Sequence, residues 1–287
     1  MSRPLAYLTS IHVCSKPAHV GGPVTGPGAT TVLVHGLPAA RYSDMARCTG
    51  TAEIDAISMG APTVFIGKLP AARFADETHH GGVVAMGELS VLIGEPPPSV
   101  SVVRRGKMLV IVDRKTKTIT IVGVQEYEGT GATPEFIAAA TDCINTSWGG
   151  PTTFEGEPYE VDCMVSGRHV GEPHDPLANE IKVVQTSVPF SVTSTGLYPS
   201  NQTVNGDGPG LQYTTDEDDG RVVAAHEFGH SMGLPDEYIE LPPYPDGTRH
   251  IEHTGPPGGL MGYIEPGSRP TAHNFDTLVH GKGLSGT

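Results

Sequence analysis

A repeat with an offset of 32 residues constrains the first third of this 287-residue chain more than any other feature. Pro38-Ala39-Ala40-Arg41-Tyr42-Ser43-Asp44 returns as Pro70-Ala71-Ala72-Arg73-Phe74-Ala75-Asp76. The preceding Gly28-Ala29-Thr30-Thr31-Val32-Leu33-Val34 returns as Gly60-Ala61-Pro62-Thr63-Val64-Phe65-Ile66, and Gly87-Glu88-Leu89-Ser90-Val91-Leu92-Ile93-Gly94 is a third, truncated copy. Repetition at this period marks supersecondary units that stack on one another. Each copy reads as a short β-branched strand closed by Gly/Pro turns. No copy can bury a face singly, so the three are expected to pack around a common axis.

The doubled PAAR tetrapeptide with its trailing Asp, the His19-Val20-Gly21-Gly22 and His80-Gly81-Gly82 turns and the third strand together resemble the PAAR-repeat family over about residues 12–94. That resemblance implies a small all-β cone seated on the trimeric spike protein of a contractile secretion system, type VI or related. It also implies that a domain fused behind the cone is cargo. Members of the family commonly hold a structural zinc near the tip through three His and one Cys. Carried onto this sequence, His19, Cys48 and His80 are the preferred ligands, with His12, Cys14 or His79 completing the set. A closed four-ligand site would help so small a cone stay folded.

Behind the repeats, Glu95-Pro96-Pro97-Pro98-Ser99 is a stiff, extended spacer. The expected division is therefore a tip domain at 1–94, a linker at 95–104 and a second domain at 105–287. Charge changes at the same place: residues 1–97 carry a net −1 and residues 98–287 a net −13. So acidic a second domain is a poor nucleic-acid binder. Met108–Val112 and Thr118–Val122 flank a charged turn and predict a hairpin. Thr133-Pro134-Glu135 opens a helix to about Trp148, with Pro134 suited to its first position and Phe136, Ala139, Ala140 and Cys143 on its apolar face. Tyr159–Val165 and Ile181–Gln185 are further strand candidates, followed by a Gly/Asn/Pro-rich loop over about 195–215.

The chemistry is concentrated in Val222-Val223-Ala224-Ala225-His226-Glu227-Phe228-Gly229-His230-Ser231-Met232-Gly233-Leu234-Pro235-Asp236-Glu237-Tyr238. On a helix His226 and His230 stand one turn apart and offer two imidazoles to one ion. Ala225, Phe228 and Met232 fall on another face, able to anchor the helix in a core. Asp218 or Asp219 is placed to cap its start, and Gly233 sits where a helix ends with φ > 0. The chain then folds back, so that Asp236 can supply a third ligand, with Glu237 as the alternative. Three protein ligands leave a position for water, the mark of a catalytic zinc site, and Glu227 is placed to act as its general base.

This H-E-x-x-H-x-x-G-x-x-D pattern resembles the metzincin group of zinc peptidases in its Asp-ligand version. The resemblance implies a C-terminal α+β zincin/metzincin-like domain over about 105–285. It implies a Met-turn beneath the metal, which Gly259-Leu260-Met261-Gly262-Tyr263 fits, with Met261 as the floor and Tyr263 as metal ligand or oxyanion donor.

Three function classes follow. The first is a secreted effector whose tip-borne zinc endopeptidase, made in the producer's cytoplasm and delivered into a recipient cell, cleaves peptide bonds there; a cognate immunity protein is then expected. The second is a structural spike tip or adaptor with a non-catalytic metal-binding domain. The third is an amidase acting on peptidoglycan stem peptides. Glu227 weighs against the second, because a binding module has no need of a general base. The N-terminus has no apolar core or small-residue cleavage site of a signal peptide, and no run approaches 18 apolar residues. Four cysteines are too few for a disulfide scaffold; Cys143 and Cys163 are open between a pair and free thiols. Asp216-Glu217-Asp218-Asp219 could bind calcium, but acids before a helix N-terminus are favourable for dipole reasons alone.

Overall fold

The structure is a computed structural model that describes residues 2–170, 174–184, 191–194, 217–242, 244, 250–262 and 267–281. The chain divides into two compact units. One comprises Met1–Val102 with Val122–Val124 and Val170–Ala178; the other comprises Val103–Ile121, Gln125–His169 and Asn179–Thr287.

The first unit is mostly β-sheet, consistent with the small cone the repeat implies. Its strands are β1 (Arg3–Leu5), β2 (Ile11–Val13), β3 (Gly22–Gly26), β4 (Ala29–Val34), β5 (Leu37–Ala39), β6 (Met45–Arg47), β7 (Ile54–Ala56), β8 (Ala61–Ile66), β9 (Leu69–Ala71), β10 (Val83–Val84) and β11 (Glu88–Ile93). Three short antiparallel ladders repeat one design: β4 with β5, β8 with β9, and β11 with β1. The truncated third copy thus borrows its return strand from the start of the chain.

Around the common axis the backbone closes a ring of hydrogen bonds. Ala6 N donates to Ala72 O at 2.8 Å, Ala72 N to Ala40 O at 2.9 Å, and Ala40 N to Ala6 O at 2.9 Å. All three alanines are fully buried, and at so tight a junction only a methyl fits. The equivalence extends outward. Arg41 N and Arg73 N donate to the carboxylates of Asp44 and Asp76 at 2.7 and 2.8 Å, while Tyr7 N donates to Ser10 Oγ at 3.0 Å. Pro4-Leu5-Ala6-Tyr7, with Ser10, therefore completes the third copy of the repeat, in which Tyr and Ser replace the Arg–Asp pair. The pair itself is buried in the second copy, where Arg73 Nη2 lies 2.9 Å from Asp76 Oδ1. A buried guanidinium with an unmatched carboxylate would be costly, so the two residue types recur or disappear together.

In the second unit a mixed sheet carries the order β12 (Val100–Arg105), β13 (Met108–Asp113), β14 (Thr118–Glu128), β16 (Glu157–His169), β15 (Gly150–Phe154). The far end of β14 also pairs in parallel with β17 (Asn179–Val184), which pairs with β18 (Ser191–Ser194). Three helices accompany it: α1 (Pro134–Trp148), α2 (Glu217–Ser231) and α3 (Ala272–His280). A two-stranded ladder, β19 (Tyr238–Leu241) with β20 (His250–His253), follows α2.

α1 begins as its sequence requires. Thr133 caps it, accepting from Phe136 N, and Pro134 takes a first position where no N–H is needed. Its most buried stripe is Ile137, Ala140, Ile144 and Trp148 rather than the expected Phe136, Ala139, Ala140 and Cys143. The helix packs on β16 and on α2 at once, so the buried band centres between the two, and Phe136 and Cys143 become its flanks. Trp148 joins the helices: its indole N–H donates to Ala225 O at 2.8 Å, and its ring meets those of Phe228 and Phe275 edge-on. Cys143 and Cys163 are free thiols against this core. α2 starts at Glu217, so Asp218 and Asp219 lie within its first turn rather than at its cap, a place the helix dipole favours for acids. The loop expected over 195–215, and Asp216, lie outside the described residues. No helix among the described residues is long and apolar enough to cross a membrane.

The ring of alanines sets a tolerance of less than one methylene group. Ala72→Leu should destabilise the first unit by about 1–3 kcal/mol in denaturant unfolding followed by circular dichroism. The sole tryptophan, Trp148, lies in the second unit, so its fluorescence midpoint should stay where it is. A fluorescence shift equal to that of the first unit would show the two unfolding as one.

Candidate metal centres

α2 delivers two of the three donors of the second unit's cluster, and the turn after it delivers the third. Gly233, at φ +87°, ends the helix and sends the chain back past it. His226 Nε2 and His230 Nε2 then stand 3.1 Å apart, and Asp236 Oδ1 lies 3.1 Å from the first and 3.2 Å from the second. Bonds of about 2.0 Å to a tetrahedral ion give donor–donor edges of about 3.3 Å, so this donor set fits zinc. Glu237, the alternative ligand, faces elsewhere: its Oε1 accepts from Asn274 Nδ2 at 2.7 Å, beneath the capping box of α3.

Carbonyls fix the tautomers. His226 donates from Nδ1 to Leu260 O at 2.8 Å, and His230 donates from Nδ1 to Leu234 O at 2.8 Å. Both Nε2 atoms are thereby turned toward Asp236, the orientation that outer partners impose on ligating imidazoles. The His226 partner belongs to the turn at Gly259–Gly262, and Met261 of that turn packs against α2. A Cβ at Gly229 would sit 2.3 Å from Met261 Sδ and 3.1 Å from the Trp148 ring, so this helix position requires glycine. Glu237 N donates to Met261 O at 2.8 Å, tying the ligand-bearing turn to the same support. Neither Leu260 nor Leu234 stood out in the sequence, since any residue can offer a carbonyl.

His226 and His230 are buried, whereas the Asp236 side chain is 39 % exposed, so the cluster is reachable from one side. Glu227 is buried on the next strip of α2, along a small cavity it shares with Tyr127, Phe136, Ile181, Ala224 and Phe228. Tyr263 lies outside the described residues.

The first unit brings together Cys14, His19, Cys48 and His80, whose donor atoms all lie within 4.8 Å of one another. Cys14 Sγ and Cys48 Sγ are each 3.7 Å from His80 Nδ1. Three of these residues sit at one position of the repeat, ten residues beyond Pro4, Pro38 and Pro70, so the pseudo-threefold packing makes them converge; His19 supplies the fourth donor from a turn. Of the candidates for completing the set, Cys14 joins this group, His79 is exposed outside it, and His12 joins Cys48 and Asp55 in a separate one. Two thiols and two imidazoles at these distances also fit zinc.

Burial opposes the charged form of His230, but the hydrogen bond to Asp236 and the nearby Glu227 charge outweigh it and raise its pKa. Burial pushes Asp236 up, but its hydrogen bonds to His226 and His230 dominate and hold it well below the usual carboxylate range. Protons therefore compete with a metal for His230 up to a higher pH than at a free imidazole. Zinc affinity at this cluster should rise about tenfold per pH unit until His230 is deprotonated, then level off. Chelator competition between pH 5.5 and 8.5 measures it, and a flat profile would show that no proton leaves on binding. His230→Ala should cost the protein one zinc per chain by elemental analysis, against an unchanged count if the cluster is not a site.

Residues 15–86 match the PAAR motif, and residues 182–242, a span containing His226 through Asp236, match the catalytic domain of the immune inhibitor A peptidase M6 family. No curated protein matches the chain. The second match supports a metallopeptidase and with it zinc, the first an association with a spike protein, and the two together fit a PAAR protein fused to a metallopeptidase domain.

Proposed function

We propose that the chain is a spike-delivered effector. In this reading residues 1–94 are the docking tip, 95–104 the linker and 105–287 a metzincin-like zinc endopeptidase that cleaves protein in a recipient cell. The observation that carries the enzymatic part is the convergence of His226 Nε2, His230 Nε2 and Asp236 Oδ1 within 3.1–3.2 Å, with both imidazoles oriented by carbonyls. The approach of Met261 to Gly229 beside them supports the metzincin assignment.

His226, His230 and Asp236 would hold the zinc, which supplies Lewis acidity for water and for the scissile carbonyl. Glu227, one residue from the first ligand on the same helix, takes the proton of the attacking water and passes it to the departing amine. Its buried carboxylate sits in a partly apolar setting, where an amide of the same shape could not accept that proton. Tyr263, following the Met261 turn, is assigned a hydrogen bond to the developing oxyanion.

Glu227→Gln should keep zinc and fold while losing peptidase activity by several orders of magnitude. Tyr263→Phe should lose about a hundredfold, the usual cost of one oxyanion donor. Wild-type activity in Glu227→Gln would remove the enzyme reading. Deleting residues 1–94 should abolish delivery between cells and leave activity on a protein substrate in vitro. Toxicity of residues 98–287, compared between cytoplasmic and periplasmic expression with Glu227→Ala as control, identifies the compartment attacked.

A further inference from the structure

The first unit contains a second, buried cluster that shares Cys48 with the four donors assigned above. His12, Cys48 and Asp55 are all fully buried, at 0 % exposure, and their donor atoms lie within 4.8 Å of one another. His12 lies on β2, Asp55 on β7, and Cys48 follows β6.

The hydrogen bonding of His12 decides what the cluster can do. Its Nδ1 is 2.8 Å from the Gly22 carbonyl, which can only accept, so Nδ1 carries the proton and Nε2 presents a lone pair. That lone pair faces Cys48 Sγ at 3.6 Å and Asp55 Oδ2 at 3.6 Å. Asp55 Oδ1 is occupied, accepting from His80 N at 3.0 Å and Ala56 N at 2.8 Å. Oδ2 is buried and, among the described residues, has no hydrogen-bond partner. A nitrogen and a carboxylate oxygen joined by a proton approach to about 2.8 Å. Donor edges around a zinc ion with N, O and S ligands run to about 3.3–3.7 Å. The distances here belong to the second class.

We propose that His12 Nε2, Asp55 Oδ2 and Cys48 Sγ bind a second zinc ion in the tip, with the Cys48 thiolate bridging it to the ion of Cys14, His19 and His80. The bridge rests on the assignment of that four-donor site; the separate three-residue group does not. A shared thiolate is the economical solution, because Cys48 Sγ stands 3.6 Å from His12 Nε2 and 3.7 Å from His80 Nδ1.

The test is a zinc count on the full-length chain. Wild type should hold about three ions, and His230→Ala two. In the His230→Ala background, Asp55→Asn and His12→Ala should each leave one, Cys14→Ser should retain the His12–Asp55 ion, and Cys48→Ser should lose both. A tip that holds one zinc in the wild-type sequence overturns the proposal. So does an Asp55→Asn variant with an unchanged count and a weaker remaining ion, which would make Asp55 a positioning residue for the four-donor site. Cobalt substitution gives a readout without mutation. Two cobalt ions sharing a thiolate couple magnetically and lose spin-resonance intensity relative to the cobalt bound, whereas a single tip ion keeps full intensity. If His230→Ala leaves the wild-type count unchanged, the peptidase site reading fails, and the decrements at Asp55 and His12 still decide the tip.

Discussion

Donor atoms that repel one another are held in close company in both units, and most of the surrounding architecture exists to keep them there. Two imidazole nitrogens 3.1 Å apart, beside a carboxylate, are unfavourable neighbours unless something positive lies between them. A shared ion resolves the conflict, but only if the rings cannot turn away. In the second unit they cannot, because each Nδ1 is engaged by a carbonyl, one from the end of the helix and one from the Met261 turn. Helix, turn and Asp236 are in turn locked by the contact of Met261 with Gly229 and by Glu237, whose backbone bonds Met261 O and whose side chain reaches α3.

The first unit meets the same demand by symmetry. Three alanines close a hydrogen-bonded ring, and equivalent positions in three copies of the repeat then fall around one axis. A metal-ligating side chain stands ten positions beyond each copy's proline, so the three donors of Cys14, Cys48 and His80 meet. The Arg–Asp pairs are the repeat's own support. Each carboxylate accepts from the backbone N–H three residues earlier and balances a guanidinium of the same copy, as at Arg73 and Asp76. Where the copy has diverged, Ser10 keeps the backbone bond and the charge pair is absent.

Much of this was legible in the residues. The recurrence of PAAR and its Asp announced the repeat, because a shared backbone geometry needs the same small and charged residues each time. The spacing of His226 and His230 announced a paired ligand, because a helix turns in 3.6 residues. Gly233 marked the reversal because its φ of +87° is one that other residues adopt at a cost. The segment that completes the third copy was hidden, since Tyr7 and Ser10 preserve hydrogen bonding but not side-chain identity. The stripe of α1 was displaced for a related reason: periodicity finds an apolar face but not the number of neighbours that cover it.

What the sequence determined by itself was therefore the local chemistry: a repeated strand-and-turn unit, a helix with two histidines on one face, and a carboxylate just past its end. Tertiary structure alone placed Asp236, rather than Glu237, beside the histidines, since adjacent side chains leave the backbone in different directions and only packing says which faces them. It alone supplied the carbonyls of Leu260 and Leu234, because every residue carries one and sequence cannot say which is near. It also brought Asp55 and His12 to Cys48 from separate strands, since the ladders between them, not chain spacing, set the distances among those donors.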